Sequence, residues 1–172
     1  MKKILVGIFL GSDSDLLIMS EAAKVLEEFS VPYKITISSA HRSPELTIDN
    51  IKNYKNLGAK VIIAGAGLAA HLAGVVASHF PLPVIGVPLK GGALNGIDSL
   101  YSIVQMPSGI PVATVGIDNA KNAGLLAVQI LATSNKILEK KLTEYKNSLE
   151  DGVKKKAEKL EKIGWKNYLQ NK

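Results

Sequence analysis

His41 and Arg42 are adjacent residues whose side chains suit chemistry on an anionic substrate. Histidine exchanges protons near neutral pH, and arginine is a permanent planar cation that binds phosphate or carboxylate. The pair lies between a β-like run, 33–37, and a helix that Pro44 can open with Ser43 as its N-cap. In open α/β sheets, such a strand-to-helix turn is where ligands bind. Taken alone, the pair predicts a functional site no more strongly than it predicts a polar surface turn.

A second polar turn, 11–15, follows the apolar run 4–10 and reads Gly-Ser-Asp-Ser-Asp. Its hydroxyls and the free N–H groups of a helix start could seat a phosphate, although the lysine of a P-loop is missing. The two acids disfavour a phosphate bound directly beside them. We expect one of them to cap the helix or to accept hydrogen bonds from ribose hydroxyls.

A third turn, 65–70, reads Gly-Ala-Gly-Leu-Ala-Ala and matches the G-x-G-x-x-A pattern of dinucleotide-binding folds. The pattern follows the third predicted strand rather than the first, and no acid lies ~20 residues further on, which disfavours a dinucleotide site. Its small residues would instead let a flat ring lie against the backbone. His71 ends this stretch, and the sequence leaves two roles open: a buried histidine bonded to a backbone carbonyl, or a direct part in the site.

Five short apolar runs alternate with segments of helical periodicity, so the elements that carry these turns can be predicted. This alternation indicates an α/β fold, a three-layer α/β/α sandwich around a parallel five-stranded sheet. Gly58 is expected to end the second helix and Asp98 to cap the fourth. The predicted strands are 4–10, 33–38, 61–64, 83–87 and 112–117, and the predicted helices are 16–29, 46–57, 72–80, 99–105 and 122–132.

The C-terminal segment carries an apolar stripe along about six helical turns, at positions 138, 142, 145, 149, 153, 157 and 160. A helix of this length spans ~35 Å, more than a domain of this size easily covers. We therefore expect the stripe to pack on a neighbouring subunit, with packing on the chain's own sheet as the alternative. Gly152 is expected to kink or break the helix. The prediction is a single domain, 1–172, with a core at 1–133 and C-terminal oligomerisation helices at 134–172.

Composition excludes several classes of protein. The chain has 172 residues, is 47% hydrophobic and contains no cysteine, which argues against disorder, a disulfide framework and a thiolate nucleophile. No run of ~18 apolar residues supports a membrane span, and the cytoplasm is the expected location. Of the net charge of +6, residues 136–172 contribute +5. These lysines alternate with glutamates, so we expect a solvated helix and no nucleic-acid partner.

Four motifs, taken together and in this order, resemble the PurE family of purine biosynthesis. The resemblance runs from about residue 3 to residue 132. It implies a flavodoxin-like fold, a homo-oligomer that is an octamer, and long C-terminal helices that reach neighbouring subunits. The motifs are 11–15, 39–44, 64–71 and Asp-Ser-Leu-Tyr-Ser-Ile-Val-Gln-Met-Pro at 98–107.

The resemblance also implies a reaction and its residues. In that family a mutase moves a carboxyl group from an exocyclic nitrogen of N5-carboxyaminoimidazole ribonucleotide to the neighbouring ring carbon, without a metal ion or cofactor. By motif position, His41 would be the acid–base. His71 is expected to help bind the substrate, in a role that supports His41. The ribonucleotide would be bound by Ser12, Asp15 and Arg42, and its migrating carboxylate by Ser39 and the backbone near Ala66 and Gly67.

A second class of the same family carboxylates aminoimidazole ribonucleotide directly with CO2. Members of that class typically carry Lys where this chain has Arg42, and they lack the Ala-Ala-His pattern of 69–71, so both features favour the mutase. The chain departs from the family at Leu68, where Gly is usual, at Ala73, where Pro is usual, and in a shorter turn at 117–122.

Two further readings stay open beside the enzyme. A flavodoxin-like flavin carrier would fit the fold, but the first three turns contain no aromatic residue to stack on an isoalloxazine. A non-catalytic nucleotide-binding module would also fit the fold and would show no turnover.

Overall fold

The computed structural model describes residues 3–170 and confirms a five-stranded, fully parallel sheet with helices between successive strands. A single 3₁₀ turn, Asp13–Asp15, precedes the first helix. The strands are β1 Val6–Leu10, β2 Tyr33–Ile37, β3 Val61–Gly67, β4 Val84–Leu89 and β5 Ala113–Thr114. The helices are α1 Leu16–Glu28, α2 Pro44–Asn56, α3 Leu72–His79, α4 Ile97–Val104, α5 Ala120–Ala132 and α6 Lys136–Gln170.

The strand order β2-β1-β3-β4-β5 is that of the flavodoxin-like fold. In the register, Ile8 of β1 lies between Ile35 and Ile63 of its two neighbours. Strands β1 and β4 are buried along their whole length, and β3 is buried up to Ala66. Burial on both faces explains why these strands read as continuous apolar runs.

Strands β1 and β3 are neighbours in the sheet but are not consecutive in the sequence. The direction in which the chain winds reverses between them. At such a switch point the loops at the carboxyl ends of the strands turn away from one another and leave a crevice. The turns after β1, β2, β3 and β4 all lie at this edge, which brings the three predicted turns together.

Strand β5 is shorter than the predicted run 112–117. It pairs with β4 only at Ala113 and Thr114, and the Val115 N–H then donates to the Gly86 carbonyl. The next ladder bond would need an N–H from Pro88, which has none. The chain therefore leaves the sheet at this point.

Helix ends confirm two predictions and correct one. Gly58 follows α2 with a φ of +97°, as expected of a glycine that ends a helix. Asp98 does not cap α4, because the helix begins at Ile97 after Gly96, whose φ is +89°. Pro44 opens α2 with Ser43 at the N-cap position, as predicted, although the Ser43 hydroxyl donates to the Ser39 carbonyl and makes no capping bond.

The chain divides after Leu131 into two compact units, the second of which contains α6. The prediction of a break at Gly152 is wrong: α6 continues through it and leaves helical geometry at Gly164, with φ 72° and ψ 157°. One glycine inside a helix costs only about 1 kcal/mol relative to alanine, which a long helix tolerates. From residue 149 onward, five large apolar side chains of α6 are between 43% and 66% exposed: Leu149, Val153, Leu160, Trp165 and Leu169.

None of the helices in the described part of the chain combines the length and the apolar character that crossing a bilayer requires.

Candidate active site

A cleft of about 530 Å³ lies at the carboxyl edge of the sheet, at the switch point. It brings together all eight residues predicted for the site, together with Lys90 and Gly91 from the turn after β4. The lining residues are Gly11, Ser12, Ser14, Asp15, Ser39, Ala40, His41, Arg42, Ala66, Gly67, Leu68, Ala69, His71, Leu72, Lys90 and Gly91.

His41 and His71 face each other across the cleft. The His41 Nε2 and His71 Nδ1 atoms are 2.7 Å apart, and the two rings are nearly perpendicular at 85°. His71 is exposed and hydrogen-bonded to His41, so the interpretation as a buried histidine bonded to a carbonyl is wrong. One proton lies between the two nitrogens, because a hydrogen bond needs one donor and one acceptor. His71 thus fixes the direction of the His41 ring.

Arg42 is held by two groups of the cleft rim. Its Nε donates to Ser39 Oγ at 3.3 Å and its Nη2 donates to the Gly11 carbonyl at 3.0 Å. The backbone N–H of Arg42 also donates to Ser39 Oγ, at 3.2 Å. A guanidinium has five N–H donors, so most of them remain for an anion in the cleft. Ser39 therefore orients the arginine, in addition to the carboxylate contact that the resemblance implies for it.

A chain of hydroxyls underlies the turn that carries His41 and Arg42. The buried Ser38 hydroxyl donates to Thr47 Oγ1 at 2.9 Å, and the Thr47 hydroxyl donates to the Ser43 carbonyl at 3.0 Å. The Ser43 hydroxyl in turn reaches the Ser39 carbonyl at 3.1 Å. These bonds tie both ends of the turn to the first turns of α2. Ser38 and Thr47 were not among the predicted site residues. The available signal was Thr47 itself, a polar residue in the first turns of α2.

Replacing Thr47 with Val is expected to loosen this turn, because it leaves the Ser38 hydroxyl without its acceptor. It also removes one of two bonds to the Ser43 carbonyl, which keeps the Thr47 backbone N–H. Such losses typically cost about 1–3 kcal/mol. We expect a lower melting temperature and roughly 10-fold lower kcat/KM, and Thr47→Ser should restore both. Melting curves and steady-state kinetics provide the check. A variant that melts earlier but keeps parental kinetics would show that the network stabilises the fold without positioning the site.

Asp15 accepts the backbone N–H of Ser12 through Oδ2 at 2.9 Å. Burial raises the pKa of Asp15 above its ordinary value of 3.8, against the opposing effects of the Ser12 N–H and Ser14 hydrogen bonds and of Arg42. The Ser12 hydroxyl donates to Asp13 Oδ1 at 3.0 Å, and this bond is the largest cause that lowers the pKa of Asp13. Asp15 is thus a partly buried carboxylate in the cleft lining, which suits acceptance of ribose hydroxyls.

Replacing Asp15 with Asn is expected to stabilise the fold while weakening nucleotide binding. A folded-state pKa above 3.8 means that the ionised carboxylate costs stability above that pKa and that this cost disappears below 3.8. The variant should melt a few degrees higher at pH 7, with the difference vanishing as the pH falls below 3.8. Nucleotide affinity should fall about 10-fold or more. Equal melting temperatures at both pH values would contradict the burial argument.

The wall of the cleft at the end of β3 has almost no side chain. Ala66 is buried, and a Cβ added at Gly67 would lie 3.2 Å from the Leu89 carbonyl oxygen. Leu68 follows with a φ of +55°, a conformation that favours glycine and explains why the resembling family usually has Gly there. The Leu68 side chain lies against the turn after β4, where a Cβ at Gly92 would approach it to 2.9 Å.

The turn after β4 is fixed by groups far away in sequence. The Lys90 N–H donates to Asp118 Oδ1 at 2.8 Å, and the Asp118 N–H donates to the Pro88 carbonyl at 2.9 Å. The buried Ser99 hydroxyl contacts the carbonyls of Leu89 and Gly96 at 2.9 and 2.8 Å. Lys90 was not among the predicted site residues, although its glycine-rich turn follows a strand at the same sheet edge.

Within residues 3–170, no three His, Cys, Asp or Glu side chains are grouped so that they could hold a metal ion. The described residues that line the cleft include no Phe, Tyr or Trp to stack on a flavin ring.

Comparison with known proteins agrees with the geometry. The family model "AIR carboxylase" matches residues 5–152. The chain is 60% identical to the N5-carboxyaminoimidazole ribonucleotide mutase of Pyrococcus horikoshii, over 98% of this chain and 95% of that protein. It is 57% identical to the mutase of Thermotoga maritima, over 97% and 98%.

Two further matches show the range of related proteins. The phosphoribosylaminoimidazole carboxylase of Schizosaccharomyces pombe is 56% identical over 95% of this chain, which spans only 30% of that longer protein. The crystal structure of Treponema denticola PurE superposes with a TM-score of 0.81 at 32% identity, over 94% of this chain and 99% of that one. These matches confirm the PurE resemblance, and the chain belongs to the AIR carboxylase family.

Proposed function

We propose that this protein is an N5-carboxyaminoimidazole ribonucleotide mutase, an isomerase of purine biosynthesis that forms 4-carboxy-5-aminoimidazole ribonucleotide. The observation that carries the proposal is the His41 imidazole, held by His71 at 2.7 Å and directed into a cleft that also presents Arg42. Relatives at 57–60% identity along nearly their full length bear the mutase name.

The reaction needs one group that first gives and then takes a proton. Protonated His41 donates to the carbamate nitrogen, and the N–CO2 bond breaks to give CO2 and aminoimidazole ribonucleotide. The ring carbon beside the amine then attacks the CO2, and neutral His41 removes the proton left on that carbon. The proton balance closes, since His41 ends protonated as it began. Histidine suits both steps because its ordinary pKa of ~6.5 lies near neutral pH.

The remaining residues of the cleft would bind the nucleotide. Arg42 would pair with the phosphate through the N–H donors not bonded to Ser39 and Gly11. Ser12 and Asp15 would contact the ribose. The side-chain-poor wall at Ala66 and Gly67 would let the imidazole lie close to the backbone and keep CO2 near the carbon that it must reach.

The direct test compares two substrates in the ultraviolet. With N5-carboxyaminoimidazole ribonucleotide, we expect turnover without ATP or added metal. With aminoimidazole ribonucleotide and bicarbonate, we expect far slower formation of the same product. This second reaction is the one that the name of the longer carboxylase relatives describes. A preference for the second pair would assign the protein to direct carboxylation, and no turnover of either would support a binding module.

We also propose that the protein is an octamer in which segment 134–172 assembles the subunits. The exposed apolar side chains of α6 support this, since such a row is normally covered by a partner. The double variant Val153→Lys, Leu160→Lys should keep its helix content and lose assembly mass by light scattering. Lys155→Gln on the same exposed helix is the control. Unchanged mass in the double variant would mean that α6 does not assemble the protein. A cytoplasmic location stays a prediction.

A further inference from the structure

We propose that Lys90 is a second substrate-binding cation, whose ammonium pairs with the migrating carboxylate. This inference rests on the proposed function and extends it to a residue that neither the motifs nor the comparisons assign.

The two permanent cations of the cleft lining lie at opposite sides of it. Arg42 follows β2 and is bonded to the turns after β1 and β2. Lys90 follows β4, two strands beyond β1 in the sheet order. Because neighbouring strands are ~4.8 Å apart, the two positions are separated by the width of a small nucleotide. A substrate with one phosphate and one carboxylate presents two anions, and the lining presents two cations to receive them.

The register of the sheet places Lys90 on the carboxylate side. Gly67, in the proposed carboxylate wall, pairs with Leu89 in the parallel register, and Lys90 is the next residue along the strand. Arg42 instead contacts Gly11, in the turn to which we assign the ribose. Lys90 therefore directly follows the residue of β4 that pairs with this wall.

The backbone of Lys90 is fixed while its ammonium stays available. Its N–H is held by Asp118, and the adjoining glycines lie against Leu68. Among residues 3–170, no carboxylate lies within ion-pair distance of the Lys90 ammonium. Asp15 is the one acidic residue of the cleft lining, and it lies in the turn after β1. A fixed backbone with an unpaired ammonium is the arrangement expected of a group that pairs with a ligand.

The chemistry predicts which kinetic constant depends on Lys90. Substrate and product both carry the carboxylate charge, whereas the CO2 between them is neutral. A cation at this position binds the two charged states and gains little from the intermediate. Loss of the ammonium should therefore raise KM more than it lowers kcat.

The test measures affinity by calorimetry for two nucleotides that differ only in the carboxylate: 4-carboxy-5-aminoimidazole ribonucleotide and aminoimidazole ribonucleotide. Lys90→Met keeps the aliphatic stem and the backbone N–H bond to Asp118. We expect it to bind the carboxylated nucleotide about 10-fold or more weakly and the uncarboxylated one less than 2-fold more weakly. Lys90→Arg should keep most of the discrimination. Lys60→Met, the same charge change at the opposite sheet edge, should change neither affinity.

The outcomes separate this assignment from the proposed function. If Lys90→Met weakens the binding of both nucleotides equally, Lys90 acts on the phosphate or through the overall electrostatic field of the cleft. That result would overturn the assignment. Unchanged affinities in Lys90→Met would also overturn the assignment. The proposed function would still stand in that case, because it depends on binding and turnover by the parent protein. A parent protein that binds neither nucleotide would overturn both.

Discussion

Replacing His41 with Asn is expected to leave nucleotide binding near the parental value while turnover falls by about 10²–10⁴-fold or more. General acid–base groups typically contribute a factor in this range, and here one residue would serve both proton transfers. Asparagine has a similar size and still hydrogen-bonds, but it carries no proton through the cycle. Calorimetric binding of the product, with steady-state turnover of the substrate, separates the two effects.

His71→Asn is the matched control for this experiment. His71 contacts the His41 Nε2 atom at 2.7 Å, so its loss should misorient the His41 ring and lower turnover less than the loss of His41 itself. If His71→Asn is inactive and His41→Asn is nearly normal, the roles of the two histidines are reversed. Activity in both variants would mean that the proton carrier is another group.

Replacing Arg42 with Ala should raise KM by about 100-fold, because a charged hydrogen-bonding partner of the phosphate is lost and the Gly11 carbonyl loses its donor. Arg42→Lys keeps the charge without the planar fork and should give an intermediate loss. Circular dichroism should show the same fold in both variants. Parental KM in Arg42→Ala would show that the phosphate binds elsewhere.

A chemical experiment checks Arg42 without mutation, because it is the only arginine in the sequence. An arginine-selective dicarbonyl such as phenylglyoxal should inactivate the protein as this one residue is modified, and bound product should protect it. Full activity after complete modification would contradict the assignment.

The sheet and the location of the site could be predicted because their signals are local. Apolar runs such as 4–10 and 61–64 have the length of strands buried on both faces, and parallel strands place their carboxyl ends at one edge. The sequence therefore predicts His41, Arg42 and Asp15 at one cleft. The 2.7 Å bond from His41 to His71 could not be derived, because it depends on how two turns 30 residues apart face each other.

What the sequence could not predict depends on contacts between distant residues or on one backbone group. Thr47 reads as an ordinary helical threonine until its hydroxyl meets Ser38, nine residues away. Lys90 gains its fixed position from Asp118, 28 residues further on. The short β5 follows from the missing N–H of Pro88, and the bend of α6 at Gly164 rather than Gly152 follows from backbone angles that composition does not determine.

The most direct test of the central claim follows the carboxyl carbon itself. The protein is given N5-carboxyaminoimidazole ribonucleotide labelled with ¹³C in its carboxyl group, in excess unlabelled bicarbonate, and the product is analysed by mass spectrometry. If His41 releases CO2 into the cleft and the ring carbon captures it there, the product keeps most of the label. Product labelled no more than the bulk bicarbonate would show that the carboxyl group comes from solution, and would contradict the proposed carboxyl transfer within the cleft.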